Sequence, residues 1–253
     1  MRCPDDDMGN CCGKCLDVIA VIPVLGRLPL LHHTITRLLK KNKVSRVICV
    51  GQTKEEQQAC ESAGAEFILH RNHPLGRKWN AGFVHAQKYK PDACLFVGSS
   101  DWLSDNWISE LASHINNYDL VGLPGCYFVD ITPDLPEVYR LVYWPGYEGR
   151  RLGESIGIGR LISAKALDMI DWKPFDDHLD NSMDYSMYRK INDSKRHLVV
   201  TNKIFSMSIS TNRWPNKHSF DQHWFGVLKS DRVKEPVPFL MNHFPELFEI
   251  FKL

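Results

Sequence analysis

Between residues 17 and 97 the chain alternates short, nearly continuous apolar runs with longer amphipathic stretches. The apolar runs at 17–24, 44–51, 65–70 and 92–97 are four to eight residues long and end in turn-forming residues. That is the pattern of strands covered on both faces, as in a parallel sheet. Between the first two, Leu30, Leu31, Ile35, Leu38 and Leu39 recur at helical spacing, and residues 54–64 read as a second helix closed by Gly64. A third helix is predicted over 78–90 and a fourth over 105–115. Strand and helix in strict alternation predict an α/β fold: a mostly parallel sheet with helices on both faces.

The rhythm breaks after residue 107. Residues 118–131 are strand material, 134–159 are rich in glycine, proline and aromatics and read as loop or hairpin, 160–171 and 181–193 return to helix, and 196–210 is strand-like. With no linker composition between the halves, a single domain with an irregular second half is expected over 17–230, preceded by a cysteine-rich tail at 1–16. At 231–253, Phe244, Leu247, Phe248 and Phe251 are spaced for one face of a C-terminal packing helix, which either docks on the domain or joins two copies into a homo-oligomer.

Composition changes this picture little. Thirty-one Lys and Arg against 30 Asp and Glu give no net field that would point to nucleic acid or an anionic membrane, and 43% hydrophobic residues in 253 suffice for a sizeable core. No apolar run reaches membrane-spanning length and the polar, acidic start is unlike a signal peptide, so a soluble, cytoplasmic protein is expected. Cys12-Gly-Lys-Cys15, with Cys3 and Cys11, has the spacing of a zinc knuckle. A second, well-spaced pair is missing, which favours a reduced tail over structural zinc.

Candidate chemistry gathers where strands end. The fourth apolar run breaks into Gly98-Ser99-Ser100-Asp101, and ligands of open α/β sheets bind at the carboxyl ends of the strands. Asp101 there is either a metal or phosphate anchor or a helix cap for the stretch that follows. Arg77 and Lys78, just after Gly76 at a predicted helix start, are either phosphate ligands or surface charges. Asp176, Asp177, Asp180 and Asp184 form an acidic run at another helix start, a general base or a solvated turn. Trp102, Trp144, Trp172 and Trp214 have the faces to stack on a ligand or fill a core, Trp102 being the best placed beside Asp101.

The order of these pieces resembles the family-2-type glycosyltransferases of the GT-A fold. The resemblance rests on "VIPVLGR", "NHPLGRKWNAGFVHA", "GSSDW", "GESIGIGRLISAKAL" and "DNSMDYSMY", in that order from about residue 17 to 210. It implies a nucleotide-sugar half at 17–103 and an acceptor half at 104–230, with transfer of a sugar from a nucleotide diphosphate to an acceptor hydroxyl and inversion at the anomeric carbon. It implies donor binding by Pro23, Gln52, Gly76, Arg77, Lys78, Asn80, Ser99, Ser100 and Asp101, and acceptor binding by Trp102, Gly157 and Gly159. Asp184 takes the place of the general base, with Asp180 as runner-up, and Asp101 and His218 those of ligands to Mn²⁺ or Mg²⁺.

Two departures stand out. Ser99-Ser100-Asp101 has lost one of the family's paired acids, which leaves room for a metal-independent enzyme, and the second strand ends in Gln52 and Thr53 where an acid is usual. UDP is the default donor by frequency in the family. The acceptor is a glycan, a protein or a modified nucleic acid; Arg150, Arg151, Arg160, Lys190, Lys195 and Arg196 would suit a polyanion. A catalytically inactive module that binds a nucleotide sugar or glycan is the alternative from another class.

Overall fold

The structure, a computed structural model, describes residues 16–130, 140–192, 197–199, 206–210 and 231–251. Four strands, β1 (Val18–Pro23), β2 (Arg46–Gly51), β3 (Glu66–Leu69) and β4 (Ala93–Phe96), pair in parallel in the order β3-β2-β1-β4. These are the four predicted runs. Val18, Ala20 and Ile22 of β1 enter one core layer and Ile19 and Val21 the other, which is why the run is apolar throughout instead of alternating.

On one face lie α1 (Leu28–Lys40), α2 (Lys54–Ser62) and α4 (Trp107–Ile115); on the other lie α3 (Leu75–Ala86), α5 (Ala164–Met169) and α6 (Met183–Asn192). The predicted third helix starts three residues early because Pro74 closes the preceding loop and enters α3 in extended geometry.

The second half extends this sheet and builds another. Beyond β4 come β9 (Leu161–Ser163), antiparallel to both its neighbours, then β6 (Leu120–Gly122) and β10 (His197–Val199). The sequence at 160–171 reads as one helix; residues 161–163 are instead this central strand. Ser163 then caps α5 by accepting a hydrogen bond from the Ala166 N–H at 3.1 Å. A smaller sheet, ordered β12-β8-β7-β11-β5, contains β5 (Asp101–Leu103), β7 (Cys126–Asp130), β8 (Arg140–Trp144), β11 (Ser206–Ser210) and β12 (Asp231–Arg232).

Two short helices, α7 (Pro236–His243) and α8 (Glu246–Phe251), stand where one C-terminal helix is expected, separated at Phe244 and Pro245. Leu240, Phe244 and Leu247 are fully buried against Leu30, Trp102, Val129, Leu141, Met207 and Ile209. Their apolar face therefore covers the smaller sheet within the same chain.

Candidate functional site

Three loops meet at the carboxyl ends of β1, β2 and β3, and two buried side chains tie them together. After β1, Gly26 and Arg27 both take left-handed backbone, with φ of 62° and 53°. The Glu56 carboxylate accepts from the Gly26 N–H at 3.1 Å and from the N–H groups of Gln52 at 2.7 Å and Thr53 at 3.1 Å, while Thr53 caps α2 in return. The Lys78 ammonium donates to the Val24 carbonyl and to Asn72 Oδ1, the latter at 2.7 Å. Burial lowers the Lys78 pKa to about 8 against the opposing pull of Glu56. Lys78 is thus an internal brace under the strand ends, while its neighbour Arg77 is exposed.

Asp101 does not end the fourth strand. β4 stops at Phe96, a turn follows, and Asp101 opens β5 in the second sheet opposite Ser208 of β11. Its carboxylate accepts the Gly98 N–H at 2.8 Å and a hydrogen bond from the Ser208 side chain. Burial raises its pKa and the charge of Asp184 adds to this, against Gly98, Ser208 and the guanidinium of Arg27. Arg27 Nη1 donates to Ser100 Oγ at 3.1 Å. The helix-cap reading of Asp101 does not survive: α4 begins at Trp107 with Asn106 at its N-cap and no side-chain cap, and Asp105 pairs with Arg37.

Asp184, in the first turn of α6, lies near Asp101. It accepts a hydrogen bond from the Tyr147 hydroxyl, and Asp101 and Asp184 lie close enough for their charges to interact. Burial beside Asp184 pushes the Tyr147 phenol well above its usual range, so it stays a proton donor. The Arg151 guanidinium lies 3.5 Å from the centre of the Tyr147 ring and pairs with Glu154 at 2.6 Å. From below, fully buried Arg160 donates to the Asp184 carbonyl at 2.9 Å and to Ser155 Oγ at 3.1 Å. Gly157 passes so close that a Cβ there would lie 2.2 Å from Asp184 Oδ1, and only a residue without a side chain fits.

The other predicted positions are spread more widely. Pro23 ends β1, and Gln52 is exposed, its Oε1 accepting the Asn72 N–H at 3.0 Å. Ser99 and Ser100 are buried in the turn before Asp101; the Ser99 carbonyl accepts from Thr34 and the Ser100 carbonyl from the Ile209 N–H. Asn80 binds the loop before α6: it donates to the Phe175 carbonyl at 2.9 Å and Asp177 at 2.8 Å and accepts the Phe175 N–H at 3.1 Å. Gly76 touches that loop, where a Cβ would meet the Asp176 carbonyl at 2.1 Å.

Asp180 sits apart from Asp184 and is engaged by His73 and by the Leu75 N–H, both at 2.8 Å, at the start of α3. Gly159 donates to the Phe96 carbonyl at 2.9 Å. Trp102 points into the third core layer, 6.3 Å from Phe244, and has no face left for a sugar. Arg160 and Lys190, read as part of a polyanion surface, are drawn inward, Lys190 to the Phe175 carbonyl and Asp176. His218, Trp214, Lys195, Arg196 and the N-terminal cysteines lie outside the described residues.

A magnesium-type site needs only one or two protein carboxylates, water and substrate phosphates supplying the other oxygens. Of the described residues Asp101 and Asp184 offer such carboxylates, and Asp101 is already hydrogen-bonded by Gly98 and Ser208. Among the described residues no group of three or more His, Cys, Asp and Glu converges as a metal site. Sequence reasoning missed Arg27, Glu56, Tyr147 and Ser208. Only Glu56 had a signal, the Thr-x-x-Glu of a capping box.

No protein-family model and no curated protein matches the sequence. Among solved structures, the crystal structure of S. aureus TarS 1-349 is similar over 77% of this chain and 60% of that one, with 14% identity and a TM-score of 0.52. Another crystal structure of S. aureus TarS gives a TM-score of 0.53 at 14% identity, over 77% of this chain and 37% of that one. The chain thus spans less than two thirds of either structure. What the likeness establishes is the fold, and it is the GT-A-type α/β fold expected from the sequence. Among the described residues no helix is long and apolar enough to cross a membrane.

Proposed function

We propose that this chain is a glycosyltransferase that moves a sugar from a nucleotide-diphosphate donor to an acceptor hydroxyl with inversion, Asp184 serving as the general base. What supports the reading is the proximity of Asp101 and Asp184, 83 positions apart in the chain and near enough for their charges to interact, at the start of β5 and in the first turn of α6. An inverting transfer needs a carboxylate to take the acceptor's proton as the anomeric carbon is attacked from the face opposite the leaving diphosphate. What supports Asp184 as the base is that it is half-buried, accepts from the Tyr147 hydroxyl and has its backbone carbonyl held by Arg160. Asp180 is occupied at the start of α3. Where Mn²⁺ or Mg²⁺ is bound it would offset charge on the departing diphosphate, with Asp101 and His218 as its ligands by resemblance.

The test is a panel of nucleotide sugars, UDP-sugars first, incubated with the protein alone and with glycan, protein and hydroxylated-nucleic-acid acceptors. Release of nucleoside diphosphate and an inverted glycosidic product, read by NMR, are expected. Asp184→Asn is expected to keep donor affinity and lower turnover by ~10²-fold or more. Normal turnover by that variant would remove Asp184 from the role. Donor binding without any release of nucleoside diphosphate would favour the inactive binding module.

A further inference from the structure

Among the described residues Arg27 is the least explained charge. It follows β1 directly, at the edge where the strand ends open, and takes left-handed backbone that costs a non-glycine residue about 1 kcal/mol or more. Its guanidinium is largely withdrawn from water, and burial lowers its pKa against the pull of Asp101. Even so, one side-chain hydrogen bond, to Ser100 Oγ at 3.1 Å, is all it makes among the described residues, and Nε is buried without a partner there. A guanidinium carries five N–H donors in a planar fork, and a buried donor left unmade costs about 1–3 kcal/mol. Strain, desolvation and an unpaired donor at one residue need a compensating partner.

Asp101 is not that partner in full. Its carboxylate accepts from the Gly98 N–H and Ser208, and the residue is 8% exposed, whereas Arg27 keeps partial exposure. The charge of Asp101 acts on Arg27, but no direct ion pair joins the two, so most of the guanidinium fork is left to something anionic. Planar, paired donors suit the oxygens of a phosphate chain.

Resting on the transferase reading above, we infer that Arg27, oriented by Asp101 and Ser100, holds the diphosphate of the donor in the position a divalent cation would otherwise take. Engagement of a nucleoside diphosphate is then independent of metal. Asp101 becomes a positioning residue for Arg27 instead of a metal ligand, which accounts for the loss of the second acid at Ser99.

The experiment measures binding of UDP, GDP, CDP and inorganic pyrophosphate to the full chain by calorimetry, in EDTA and in Mn²⁺, with wild type, Arg27→Lys, Arg27→Met and Asp101→Asn. Melting temperatures are recorded for each. The expected result is wild-type affinity within about 3-fold in the two buffers and a loss of ~10- to 100-fold in Arg27→Met, the scale of a charge-assisted hydrogen bond. Arg27→Lys should recover part of that loss, and Asp101→Asn should weaken binding equally in EDTA and Mn²⁺. Binding that appears only with Mn²⁺, or a folded Arg27→Met that binds like wild type, overturns the inference and leaves the transferase reading standing. Failure of wild type to bind any nucleoside diphosphate in either buffer overturns both.

Discussion

Asp184 reaches the site because residue 157 has no side chain. The Gly157 Cα lies where an added Cβ would sit 2.2 Å from Oδ1 and 2.9 Å from Cγ of Asp184, and the carboxylate is too short and too firmly held by Tyr147 to swing clear. Gly157→Ala is therefore expected to displace the proposed base by a fraction of an ångström to an ångström. Misplacement on that scale costs ~10²-fold in rate. The φ of Gly157 is not in the left-handed region, so the substitution strains only this contact. The melting temperature should change little while turnover falls; unchanged turnover in a folded Gly157→Ala would show that Asp184 Oδ1 is not where the chemistry needs it. At this scale the two acids could be picked out of the sequence, Asp101 just after an apolar run and Asp184 at a helix start, and the roles given them are proposals. Arg27, Tyr147 and Ser208 were not, because each is brought in from another element and none carries a local periodicity. Asn80 and Trp102 show the converse: both looked like ligand-facing groups, and both satisfy the interior, one as a backbone clamp and one as core.

Elements dictated by repeated local pattern were readable, and those defined by pairing across the chain were not. β1 to β4 and α1 to α3 announce themselves by runs and faces many residues long. β9 has three residues, and its place between β4 and β6 depends on partners more than 35 positions away, so nothing in Leu161-Ile162-Ser163 separates it from the helix that follows. The join of β3 to α3 is a contact of the same kind and makes a pH-dependent one. Glu66 accepts from the Tyr89 hydroxyl at 2.5 Å and Lys88 at 3.0 Å and meets His85 Nε2 at 2.6 Å. Burial pushes its pKa up, but these bonds outweigh it and bring the group down to about 2. Its folded pKa lies below the unfolded value, so the stabilisation is fully present above pH 4.5 and is lost as pH falls toward 2. In acid titrations followed by denaturant unfolding, Glu66→Gln should flatten that part of the stability profile. An unaltered slope in the variant would assign it to other carboxylates.

Across the whole molecule, the site lies where the parallel sheet meets a smaller one, of which the sequence shows strand material at 118–131 and 196–210 but not the pairing. The smaller sheet supplies β5 and β11, hence Asp101 and Ser208, but its far face would be bare without the C-terminal helices. Phe244 is the hub of that cover: it is fully buried, stacks obliquely on Trp102 at 6.3 Å, and lies 5.1 Å under the Arg37 guanidinium. Arg37 in turn donates to the Leu103 carbonyl at 3.0 Å and pairs with Glu246 at 3.0 Å, so α1, β5 and α8 share one contact. Removing a buried phenylalanine side chain costs about 3–5 kcal/mol. Phe244→Ala should lose that much stability in denaturant melts, and because Trp102 adjoins Asp101 in β5, the loss should reach the site. Nucleoside-diphosphate affinity is then expected to weaken in Phe244→Ala although residue 244 lies on the opposite side of the smaller sheet. A variant that loses stability by this amount but binds as wild type would mean that β5 holds Asp101 in place without its cover, and that the C-terminal helices stabilise the fold independently of the site.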